Sequence, residues 1–148
     1  MNILMTAALA ALTVPDMDTS FKAYMDYRAI TNEESTQYRM QQKAETDENG
    51  LRTYKGRYMI AVGTYYGEVG DRLDITLDTG ERFEAVIGDI KADSSTDSTH
   101  RYHPMENGGN VVEFIVDVRS VSRGVRRSGD ISSIEGFEGN IEKIERAD

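Results

Sequence analysis

Residues 93 to 103 bring two aspartates and two histidines, Asp93, Asp97, His100 and His103, into one short stretch. Imidazole and carboxylate are both zinc ligands, and His-x-x-His is a ligand-like spacing. A polar run rich in Asp and Ser carries stray histidines as readily, so the expectation is a solvated or substrate-contacting loop, with no metal and no cofactor. Either histidine could act as a base. No Ser or Cys stands in a recognisable nucleophile elbow or at a partner spacing, which disfavours a Ser–His hydrolase. Aromatic rings are the second resource. Tyr65 and Tyr66 lie between two glycines in GTYYG, and with Tyr102 and His103 they could line a cleft by stacking on sugar rings. The plainer alternative is that one tyrosine packs inward and the other covers a rim. The third resource is carboxyls beside apolar runs. Asp89 shares parity with Phe83, Ala85 and Ile87, which puts it at the end of an inward-pointing row, unless it only caps the following turn.

The elements that must position these groups follow from apolar spacing. In GRYMIAV, Tyr58, Ile60 and Val62 alternate with Met59 and Ala61, and in DRLDITLD, Leu73, Ile75 and Leu77 alternate with polar residues. DTG at 78 to 80 is a turn signal, and ERFEAVIGD continues the alternation, so a hairpin is expected over about 72 to 88. Lys91 to Asn110 has no periodicity and reads as a long polar loop. VVEFIVDV then alternates Val112, Phe114, Val116 and Val118 against Glu113 and Asp117. ISSI at 131 to 134 and NIEKIE at 140 to 145 supply weaker strands, the last with Ile141 and Ile144 out of strict alternation. VGDRLDI and SGDISSI repeat Gly-Asp before an apolar position, as if two halves of a barrel shared a turn.

The front of the chain differs. Residues 3 to 14, ILMTAALAALTV, are uncharged and apolar but shorter than the roughly 20 residues a membrane-spanning helix needs. They read as an N-terminal helix ended by Pro15, or as a secretory signal lacking its basic n-region. A second helix is expected over about 32 to 45, capped by Thr31 or Asn32, before the turn signal TDENG. The chain has 148 residues, no Cys and a net charge of −9, which excludes a disulfide scaffold and Cys-based zinc modules and repels phosphate backbones. Arg123, Arg126 and Arg127 form a small basic cluster that would touch an anionic polymer or simply solvate a loop. No phosphate loop, dinucleotide-binding glycine pattern or heptad repeat is present.

Three runs taken in order, AVGTYYGEVGDRLDITL at 61 to 77, ERFEAVIGD at 81 to 89 and GNVVEFI at 109 to 115, resemble the double-psi β-barrel domains of bacterial wall-active proteins. These are the three-aspartate (3D) domain, the rare-lipoprotein-A type and the membrane-bound lytic transglycosylase A type, and the chain also resembles uncharacterised proteins of Gram-positive bacteria and their phages. The resemblance implies that Asp89 is the middle aspartate of the family and that Glu113 replaces the last one. The first has no counterpart and falls near Gly63, and the residues after the middle aspartate read Ile90, Lys91, Ala92. On that basis the catalytic candidates are Asp89 and Glu113, and strand parity adds Asp117, two positions on along the face of Ile115, as a substitute partner. One carboxyl would protonate a glycosidic oxygen while the other stabilises an oxocarbenium-like transition state.

The expectations are therefore a mainly β fold, with a short helical N-terminal extension over 1–50 and a six-stranded double-psi-like β-barrel over 51–148. The function implied is a glycan-associated domain of the cell wall that cleaves peptidoglycan strands, outside the cell, in its envelope or on a virion. The alternative is a non-catalytic structural or interaction module, such as a virion component. Neither nucleic acid nor a transmembrane segment is expected.

Overall fold

A computed structural model describes residues 11 to 147 of the chain. The helix expected over 3–14 lies largely outside the described residues, and its last part is instead strand β1 (Ala11–Leu12). There follow β2 (Tyr24–Asp26), α1 (Thr36–Gln42), β3 (Glu45–Thr46), β4 (Arg52–Tyr54), β5 (Arg57–Val62), β6 (Arg72–Leu77) and β7 (Arg82–Ile90). The second half holds β8 (His103–Met105), β9 (Gly108–Asn110), β10 (Glu113–Val116), α2 (Arg123–Ser128) and β11 (Ile141–Ala147).

The fold is mainly β. Among the described residues one mixed sheet runs in the order β1-β11-β6-β7-β5-β10-β2, with β4 also on β5 and β3 on β4, while β8 and β9 pair separately. The expected hairpin is β6 and β7, antiparallel with Ile75 opposite Phe83. Two pairings join distant segments in parallel: β5 with β7, and β10 with β2, where Phe114 faces Tyr24. No pairing among the described residues links the β1 end of the path to its β2 end.

Alternation sorts the strands onto two apolar clusters. Ile60, Val62, Leu73, Ile75, Phe83, Ile87, Phe114 and Val116 share the larger one, with Phe137 closing it. Tyr58, Phe83, Phe114 and Phe137 meet there with ring centroids 5.2–6.4 Å apart. Residues of opposite parity, Met59, Val86 and Ile115, pack on the other face under Met40 of α1. Helix α1 is shorter than expected and is capped by Ser35, whose side chain accepts from Tyr38 N, rather than by Thr31 or Asn32. The helix is tied down by Arg52, which donates to Gln41 Oε1 at 2.9 Å and to the Gln41 carbonyl at 2.8 Å while lying 4.0 Å from the Tyr27 ring centre.

Four local expectations change. ISSI is not a strand: Asp130 accepts from Ser132 N and turns residues 131–133 into a 3-10 segment, so the Gly-Asp echo marks two different structures. The long loop contains the β8–β9 hairpin and a 3-10 turn at 93–95. Ile141 and Ile144 both reach the core because the register of β11 on β6 shifts between Ile141 and Lys143. Most consequential, β7 bulges at Gly88: Ile60 pairs with Ile87, but Ala61 pairs with Asp89. The extra residue reverses parity, so Asp89 leaves the face of Phe83, Ala85 and Ile87.

Candidate functional site

The bulge brings the acidic candidates together. Ala61 of β5 is opposite Asp89 on one side and opposite Glu113 of β10 on the other, so both carboxyls rise from the same face with only the Ala61 methyl group between their side chains. Two strand spacings separate their Cα atoms by roughly 10 Å. They line a groove of about 580 Å³. One wall is the segment Phe21, Ala23 and Met25 leading into β2; the other is His103, Pro104 and Met105 of β8. The walls are fastened to each other, because Asn110 accepts from Ala23 N at 3.2 Å and Gly109 N donates to the Asp18 carbonyl at 3.0 Å.

Lys91 stands beside both carboxyls. Its backbone N donates to the Val62 carbonyl at 2.9 Å, and its Nζ lies 3.4 Å from Glu113 Oε1 with the side chain 8% exposed. Burial lowers its proton affinity, partly offset by the charges of Glu113 and Asp89. Asp89 Oδ1 accepts from Ile90 N at 2.9 Å, the local cap that its position after a bulge favours. His103 Nδ1 is 2.7 Å from the Ser95 carbonyl. A carbonyl only accepts, so Nδ1 carries the proton and, in the neutral ring, Nε2 is left as an acceptor. An imidazole, two carboxyls and an amine thus converge on one cleft with apolar walls.

The remaining candidates lie elsewhere. Asp117 caps the 3-10 turn at 118–120, and the Arg119 guanidinium bonded to it at 2.9 Å holds its carboxyl below the usual range. Tyr66 is fully buried, with its hydroxyl donating to the Thr13 carbonyl at 2.8 Å, and burial raises its pKa; it offers no ring face to a ligand. Tyr65 is exposed, its hydroxyl accepting from Thr13 N and Oγ1. Tyr102 packs on the larger cluster. Asp97 accepts from the backbone of Thr99, Arg101 and Tyr102, shaping the loop, while His100 sits 3.4 Å from Asp93. Among the described residues no three His or acidic side chains are grouped to hold a metal ion. Nor is any helix among them long and apolar enough to cross a membrane. A second depression of about 620 Å³ beside α2 is lined by Asn49, three serines and Glu135, without a pair of titratable groups.

Comparison with protein families, curated proteins and solved structures finds no match. Chemistry is therefore read from the groove itself. Lys91 is the member that sequence reasoning passed over. Its signal was Gly88: a glycine inside a strand marks a bulge, after which residues 89 and 91 share the face opposite the core.

Proposed function

We propose that the groove binds a glycan strand of the cell-wall class and that Asp89 and Glu113 are its acid/base pair, in a domain of double-psi-like barrel type. The single observation behind this reading is the convergence of Asp89, Lys91 and Glu113, from two strands, on one open groove. Backbone spacing of about 10 Å lets the carboxyl tips approach the range of roughly 5 to 9.5 Å that glycosidic cleavage uses. Glu113, which lines the groove on the strand two places from Asp89, is suited as a carboxylate to stabilise positive charge at the anomeric carbon. Asp89, whose one described side-chain hydrogen bond is to its neighbour's backbone, gives its proton to the glycosidic oxygen and takes one back from the hydroxyl that closes on that carbon. The parallel β5–β7 pairing around one apolar cluster supports the barrel assignment. With a net charge of −9, a largely neutral polymer is favoured over an anionic one.

A second reading, a non-catalytic envelope or virion module, is favoured by the fact that both carboxyls already have protein partners, Ile90 N and Lys91 Nζ. Release of soluble muropeptides from purified peptidoglycan separates the two. Cleavage by the parent chain that falls at least about 100-fold in folded Asp89→Asn, the scale of a lost acid/base group, is the expected result. No release by the folded parent removes the cleavage reading.

A further inference from the structure

Two lysines of this chain are withdrawn from water, and only one of them is reachable. Lys22 has no exposed surface and is sealed against the Ser20 and Gly139 carbonyls. Lys91 lines the groove, retains 8% side-chain exposure, and stands 3.4 Å from a carboxylate. An amine that attacks a carbonyl carbon must be unprotonated, have a proton donor and acceptor within reach, and sit where water is scarce. Burial lowers the proton affinity of Lys91 against the opposing pull of Glu113 and Asp89, so its neutral form is more accessible than that of an exposed lysine. Glu113 and Asp89 can move protons, and the walls of Phe21, Met25, Pro104 and Met105 are apolar.

We infer that Lys91 is a nucleophilic amine that condenses with small neutral aldehydes entering the groove. The two carboxylates disfavour anionic oxo acids, which leaves neutral carbonyl compounds, including the open-chain end of a reducing sugar, as the matching class. The Nζ lone pair forms a bond to the carbonyl carbon as the C=O π pair moves to oxygen, which takes a proton from a groove carboxyl. Nitrogen gives a proton to the carboxylate, and the resulting carbinolamine loses its hydroxyl as water after a second proton transfer, leaving C=N. One amine and one aldehyde give one imine and one water, with no oxidant or reductant. The same groove would do this whether or not it cleaves glycans.

The test uses the full chain with substoichiometric butanal and cyanoborohydride at neutral pH, followed by peptide mapping. The exposed Lys43, Lys55 and Lys143 are internal references. Lys91 is expected to carry the adduct in several-fold excess over each reference, with its rate rising at lower pH than theirs. Lys91→Arg, which keeps a cation beside Glu113, should lose that adduct and leave the reference lysines unchanged. Labelling of Lys91 no faster than the references, or with the same pH dependence, overturns the assignment. The primary measurement is on the parent chain and so does not depend on a variant folding. Adduct formation without muropeptide release would leave Lys91 reactive and remove only the cleavage reading; release without the adduct would do the reverse.

Discussion

Lys22 is a fully buried lysine. Its ammonium is held by the Ser20 carbonyl at 2.9 Å and the Gly139 carbonyl at 2.6 Å, and none of the described ion pairs includes it. Burial lowers its pKa from 10.5 to about 8, against the pull of Asp130, Asp78, Glu138 and Asp18. Between about pH 8 and 10.5 the unfolded chain keeps a proton that the folded chain has released, so stability rises with pH across that window. Below pH 8 both states carry the proton and the penalty is constant. Denaturant unfolding of the parent and of Lys22→Met at several pH values should show the parent gaining on the variant from pH 8 to 10.5. A difference that stays flat or falls would contradict the account. Nothing in the run SFKAYM marks this burial, because one carbonyl partner, Gly139, is 117 residues away and only the fold brings it near.

At the scale of elements, the β7 bulge decides the site. Gly88 is fully enclosed, and a Cβ there would lie 2.7 Å from Ile115 Cδ1 and 3.1 Å from Met59 Cε. Both atoms are ends of flexible side chains, so Gly88→Ala is expected to cost about 1 kcal/mol, the low end of overpacking, measured by denaturant unfolding. Unchanged or raised stability would show that the bulge tolerates a side chain. The β6–β7 hairpin was legible because alternation and a DTG turn agree, whereas the alternation read in VVEFIVDV showed the burial of Phe114 and Val116 but not that Ile115 is buried on the opposite face. The parity of Asp89 was misread because strict period two assumes an uninterrupted strand, and one extra residue reverses every side chain beyond it. In β11 the broken alternation of Ile141 and Ile144 was itself the trace of a register shift.

At the scale of the whole molecule, the segment 13–26 is held by side chains more than by a ladder. Thr13 meets Tyr65 and Tyr66, Thr19 Oγ1 accepts from Ile141 N at 2.8 Å, and Asn140 Oδ1 accepts from Thr19 N at 2.9 Å. The segment then pairs in parallel with β10 and supplies a wall of the groove. Pairing across some ninety residues leaves no local pattern, so the sequence showed Asp89, Glu113 and His103 as candidates but not that Phe21 and Met25 complete their surroundings. The central claim is that this groove is where a glycan binds. Its most direct test is titration of ¹⁵N-labelled protein with the N-acetylglucosamine tetrasaccharide, followed amide by amide. The account predicts shifts concentrated at Ala61, Asp89 to Ala92 and Glu113, with residues around α2 unmoved. No shifts at saturating sugar, or shifts confined to residues outside the groove, would contradict it.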